Sequence, residues 1–115
     1  MVRRLSTYTT GLLVPGEGVR RRVEALMRLG HSFKDIAHAS GMHKSTLSRD
    51  NTIGTMVRSE TLVAVDAVYQ RLKNQLGPNE ALRARTQRQG WPLPIQWSNT
   101  NIDDPNSAPT DPEMM

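Results

Sequence analysis

Residues whose side chains could do chemistry gather between positions 31 and 50. The chain has no cysteine, and its three histidines give no convincing ligand set for a metal ion. Those histidines are His31, His38 and His43. Ser45, His43 and Asp50 supply the groups of a hydrolytic triad, but neighbours on a short helix point in different directions. Residues 16–18 lack the pattern of a phosphate-cradling loop. The sequence therefore indicates no metal, no cofactor and no enzyme class.

Positive charge is concentrated in the N-terminal part of the chain. All fifteen Lys and Arg residues lie at or before Arg88, together with seven acidic residues, so residues 1–88 carry a formal charge of +8. Such a surface attracts a polyanion, although a solvated basic surface is the alternative. Cysteine is absent, and no signal peptide or membrane-spanning stretch is apparent. These features predict a cytoplasmic protein without a membrane partner.

Apolar spacing predicts an all-α fold, a compact bundle of four to five helices over residues 16–90. The predicted helices cover about residues 18–29, 33–40, 44–51, 60–76 and 80–88. Ser32, Ser59 and Asn79 are the predicted N-caps, and Gly77 with Pro78 ends the fourth helix. Residues 51–58 read as a loop, and residues 1–15 as a flexible basic arm that carries Arg3 and Arg4.

The C-terminal region, residues 91–115, has a different composition. Trp91 and Trp97 stand among prolines and predict a stiff strap, and the acidic, proline-containing sequence from about Ser98 predicts disorder. The strap could pack on its own domain or bind a host protein through the two tryptophans. The sequence leaves both open.

A sharp corner between two short helices is the most informative feature. Such a corner needs a small residue where the helices touch, a glycine at the turn and apolar side chains that hold the second helix. Ala37, Gly41, Met42 and Leu47 supply these in the required order. The sequence therefore predicts a bihelical corner centred on residues 32–50.

The run from Asp35 to Arg49 resembles the helix pair of the helix-turn-helix family, specifically lac-repressor-type headpieces and Cro/C1-type phage regulators. The resemblance continues through Val57, Thr61, Val65, Ala67 and Leu72. Asp50 stands where that pattern usually has an apolar residue, and His43 where it has a small hydroxyl residue. Residues 90–97 and 102–105 are also similar to the tail of small helix-turn-helix proteins of actinobacteria and their phages.

The resemblance implies that helix 44–51 enters the major groove of double-stranded DNA. The implied base-reading residues are His43, Lys44, Ser45, Ser48 and Arg49. Arg49 leads this set because a guanidinium can donate two parallel hydrogen bonds to guanine O6 and N7. The implied phosphate-binding residues are Ser32, Lys34, Asn51 and Thr52, with Arg20, Arg21 and Arg22 as additions. A solvated helix surface is the alternative for this arginine triplet, and for Arg83, Arg85 and Arg88.

These observations predict a sequence-specific DNA-binding regulator of transcription from a phage or a bacterium. One small module reads few bases, so specificity normally needs two copies about 34–36 Å apart, which a homodimer would supply. Two alternatives stay open. One is a DNA-binding accessory factor for phage recombination or packaging, and the other is a protein-interaction module that uses the tryptophan strap.

Overall fold

A computed structural model describes residues 12–51 and 54–110 of the chain. The elements, in chain order, are β1 (Leu13–Pro15), α1 (Glu17–Arg28), α2 (Phe33–Ala39), α3 (Lys44–Asp50), β2 (Met56–Arg58), α4 (Ser59–Leu72), α5 (Glu80–Arg88) and a short 3-10 helix (Pro94–Trp97). The fold is mostly helical, as predicted. The all-α class is wrong in one respect, because β1 and β2 form a small sheet.

The two strands pair antiparallel in the register Leu13↔Arg58, Val14↔Val57 and Pro15↔Met56. Val14 and Val57 are buried on one face of the pair, while their neighbours on the other face are exposed. The sequence predicted an irregular arm and a loop at these positions. A strand of three residues is too short to display a period of two, so the apolar pattern did not predict either strand. Residues 1–11, with Arg3 and Arg4, and residues 52–53 lie outside the described part.

The core lies between α1 and α4, whose apolar stripes have the predicted three-and-four spacing. Each helix contributes four buried side chains: Val19, Val23, Ala25 and Leu26 from α1, and Leu62, Val65, Val68 and Tyr69 from α4. The side chains of Ile36 in α2 and Leu47 in α3 are fully buried in the same core. Full burial of such a side chain contributes about 1.5–3 kcal/mol. The helix pair α2 and α3 is therefore anchored to the main body of the protein.

Helix ends follow local capping chemistry where a cap is present. The side chains of Ser32 and Asn79 accept hydrogen bonds from the amides of Asp35 and Leu82, which confirms both predicted N-caps. Ser59 is instead the first residue of α4, and Arg58 occupies the N-cap position.

The helix α4 ends at Leu72, earlier than predicted, and Leu76 is 73% exposed although the sequence pattern placed it in the core. The chain turns so that the amide of Gly77 donates to the carbonyl of Leu29 at 2.8 Å. A Cβ at Gly77 would overlap the backbone of Gly30. This close contact joins the end of α4 to the end of α1, which no local pattern reveals.

Residues 98–110 fold back onto α1, where the sequence predicted disorder. The guanidinium of Arg21 donates to the carbonyls of Ile102 and Asp104, and the amide of Thr110 donates to the carbonyl of Gln96 at 2.7 Å. Trp97 is buried, and Arg21 lies 4.8 Å above its ring. Composition alone did not reveal the contacts with Arg21, because this residue lies about eighty residues earlier in the chain. Residues 111–115 lie outside the described part.

Candidate nucleic-acid interface

The turn between α2 and α3 depends on Gly41. This residue has a φ of +75°, in the left-handed region that favours glycine. The amide of Gly41 donates to the carbonyl of His38, and the amide of Met42 donates to the carbonyl of Ala37 at 2.9 Å. These bonds use the last free carbonyls of α2 and end the helix. As a result α2 and α3 are separate short helices joined by a tight turn.

Replacing Gly41 with alanine should destabilise the fold by about 1–2 kcal/mol, because an L-residue with a side chain resists the left-handed conformation. A Cβ at this position would meet no atom within 4 Å, so the penalty comes from the backbone alone. Chemical denaturation of the purified variant measures the loss. Gly41→Asn is the matched control and should lose less, because asparagine adopts this conformation more readily. Equal losses in the two variants would contradict a backbone origin.

Two buried side chains hold α3 against the rest of the molecule. Leu47 is fully buried in the core, and Asp50 is 9% exposed. The Oδ2 of Asp50 accepts a hydrogen bond from the hydroxyl of Thr61 in α4 at 3.2 Å. Asp50 thus links α3 to α4 by a hydrogen bond.

The opposite face of α3 is open to solvent and polar. His43, Lys44, Ser45, Ser48 and Arg49 are all exposed. The side chain of Arg49 is 75% exposed, and its Nε lies 3.4 Å from the Oδ1 of Asp50. This ion pair lies at a solvated site and contributes little to stability, but it restrains the Nε end of the Arg49 side chain. The five candidate base-reading residues are therefore all accessible, with His43 at the start of α3 and Arg49 near its C-terminal end.

A cavity of about 410 Å³ lies beside this surface, between α3 and the start of α4. Arg49, Arg58 and Glu60 are among the residues that line it. Arg58 is exposed and was absent from the sequence-based site. A cation directly before a helix is a signal that could have drawn attention to it, since helix starts are common positions for phosphate contacts.

The candidate phosphate-binding residues are only partly brought together. Lys34 is exposed, whereas Ser32 and Asn51 are half-buried. The Oγ of Ser32 already accepts the amide of Asp35 at 3.1 Å as the α2 cap. Thr52 lies outside the described residues. Lys34 is thus the accessible cation of this set near α3.

The arginine triplet of α1 makes contacts within the protein. Arg20 lies 3.8 Å from Glu24, and the guanidinium of Arg21 donates to backbone carbonyls of the C-terminal segment. Arg22 is 6% exposed. The sequence could not show this, because the partners of Arg21 and Arg22 are distant in the chain.

Arg22 lies between two carboxylates. Its Nε is 2.9 Å from Asp66 of α4, and its Nη1 is 2.6 Å from Asp103 of the C-terminal segment. Burial alone would lower the pKa of this guanidinium, but the hydrogen bonds and charges of Asp103 and Asp66 outweigh burial and raise the pKa. Arg22 therefore joins α1, α4 and the C-terminal segment at one point.

The histidines do not converge. His31 is buried, with its Nε2 2.8 Å from the carbonyl of Gln75, whereas His38 and His43 are exposed. Within residues 12–51 and 54–110, no group of three or more His, Cys, Asp or Glu side chains is placed to hold a metal ion.

Within residues 12–51 and 54–110, no helix has both the length and the apolar character needed to cross a bilayer.

Comparison with protein-family models, with curated proteins and with solved structures found no match for this chain.

Proposed function

We propose that this protein binds double-stranded DNA, placing α3 in the major groove, and regulates transcription in a bacterial or phage-infected cell. The observation that carries the proposal is the division of α3 into two faces. Leu47 and Asp50 hold one face to the core, while the other face presents polar and cationic side chains to solvent. A helix supported in this way can enter the major groove without rearrangement of the core.

The exposed side chains suit base edges in different ways. Arg49 can donate a bidentate pair of hydrogen bonds to guanine, and Lys44 can donate to the same acceptors. The hydroxyls of Ser45 and Ser48 can donate or accept, and His43 lies at the start of the helix. Lys34 and Asn51 remain the candidate phosphate contacts at the two ends of the helix pair. Arg21 and Arg22 are not proposed as phosphate contacts, because their guanidinium groups bind other groups of the protein.

The alternative of a protein-interaction module receives less support from the strap. Trp97 is 6% exposed and lies beneath Arg21, so it is not presented to a partner. Trp91 is half-buried. An accessory role in recombination or packaging would use the same DNA-binding surface, and mapping of the binding sites in the genome would separate it from promoter regulation.

Arg49→Ala should relax the preference at one base pair by about 1–3 kcal/mol, because the variant loses one bidentate contact to a base. The preferred sequence is first obtained by selection from random duplex DNA with the unaltered protein. Binding of both proteins to that sequence and to its single-base variants then gives the discrimination at each position.

Lys34→Gln is the control for this measurement. This variant should bind all duplex sequences more weakly by the same factor. It should also lower the slope of log K against log salt by about 0.9, as expected for the loss of one phosphate contact. The site assignment is wrong if Arg49→Ala and Lys34→Gln bind preferred and random duplexes as the unaltered protein does.

A further inference from the structure

A second cavity, about 480 Å³ in volume, separates the helix pair from α5. We call it the basic groove. Its floor includes the apolar side chains of Met27, Phe33 and Leu82. Four cationic residues line it: Lys34 of α2, Lys44 of α3, and Arg85 and Arg88 of α5. The groove therefore connects the exposed face of α3, through Lys44, with a helix that the proposed function does not use.

The charge of the basic groove is uncompensated in the described part of the chain. None of the residues that line the groove is acidic. No ion pair joins any of its four cations to a carboxylate of the described residues. Neighbouring Arg83 differs, because it donates to the carbonyl of Gly77 and lies 3.7 Å from Glu80. Four cations of one sign around one concavity attract an anion that can contact several of them together.

The position of α5 is set by internal contacts that do not involve the side chains of Arg85 and Arg88. Asn79 caps the helix, and Leu82 and Thr86 are buried beneath it. The Oγ1 of Thr86 donates to the carbonyl of Leu82 at 2.9 Å. Arg85 and Arg88 are three residues apart and so lie on the same face of α5. Both are exposed and line the groove.

We infer that the basic groove binds the phosphodiester backbone of the duplex that α3 reads, with Arg85 and Arg88 as phosphate contacts. This inference rests on the proposed function, and it extends the interface from α3 to α5. A planar guanidinium binds phosphate oxygens in a bidentate manner, which suits two arginines on an exposed helix face. Lys44 lies on both surfaces, so one continuous strand could pass from the groove to α3.

The test is the salt dependence of binding to a random-sequence duplex of about 20 base pairs, or two helical turns. The double variant Arg85→Gln/Arg88→Gln should lower the slope of log K against log salt by about 1.8, as expected when two phosphate contacts are lost. Arg71→Gln/Lys73→Gln is the matched control, because it removes the same formal charge from the end of α4. That control should leave the slope unchanged. Far-UV circular dichroism verifies that both variants are folded.

The outcomes separate the inference from the proposed function. If the α5 variant has the same slope as the control while Arg49→Ala still relaxes base preference, the inference is overturned and the proposed function stands. If the unaltered protein does not bind the duplex at low salt, both the inference and the proposed function are wrong. A site for free phosphate would instead bind inorganic phosphate in a way that the α5 variant abolishes, with its duplex slope unchanged. That result would also overturn the inference.

Discussion

Arg22→Ala is expected to destabilise the fold by about 3–5 kcal/mol, the usual loss when one partner of a buried ion pair is removed. The variant would leave the carboxylates of Asp66 and Asp103 without their guanidinium partner. It would also remove the side chain that lies 5.7 Å from the ring of Tyr69. Urea denaturation of the folded variant gives the loss directly.

Arg20→Ala is the matched control, because Arg20 lies on the same helix, its side chain is more exposed than that of Arg22, and its single pair with Glu24 is longer. Its loss should stay below about 1 kcal/mol, as is usual for a single ion pair that solvent can reach. Tryptophan fluorescence gives a second readout, since release of the C-terminal segment would expose Trp97 and shift its emission to longer wavelength. Equal stability of the Arg22→Ala variant and the control would contradict a structural role for Arg22.

Leu47→Ala should have the second largest effect, a loss of about 2–5 kcal/mol. Leu47 is fully buried and holds α3 in the core. The truncated side chain leaves a cavity under the helix that carries the candidate base-reading residues, so DNA binding should weaken even where the protein remains folded. Thermal denaturation and duplex binding at a temperature well below the melting point measure the two effects.

Two controls define this result. Leu47→Met keeps most of the side-chain volume and should lose less than about 1.5 kcal/mol. Ser48→Ala alters an exposed neighbour and should change stability by no more than about 0.5 kcal/mol. Leu47→Ala with unchanged stability and unchanged binding would show that α3 does not depend on this contact.

Local signals in the sequence were enough for much of the helical fold. The capping residues Ser32 and Asn79 and the glycine at position 41 act on neighbouring backbone groups, so short patterns carry the information. The apolar stripes of α1 and α4 likewise follow from helical periodicity. The same local information defined the corner between α2 and α3.

Features that depend on distant partners could not be predicted in this way. The strand pairing joins residues more than forty positions apart, and Arg22 binds carboxylates 44 and 81 residues away. Leu76 matched the stripe of α4 but lies beyond the turn that brings Gly77 against Gly30. Arg85 and Arg88 have the pattern of a solvated helix face. Only the three-dimensional arrangement brings them beside Lys34 and Lys44.

Amide resonances followed by NMR during titration with a random-sequence duplex test the central claim most directly. They report on every residue of α3 at once and need no knowledge of a preferred sequence. If α3 enters the major groove, the largest shifts should fall on Lys44, Ser45, Ser48 and Arg49, with small shifts around Arg22. Unmoved α3 resonances in a saturated complex would contradict the claim that this helix contacts DNA.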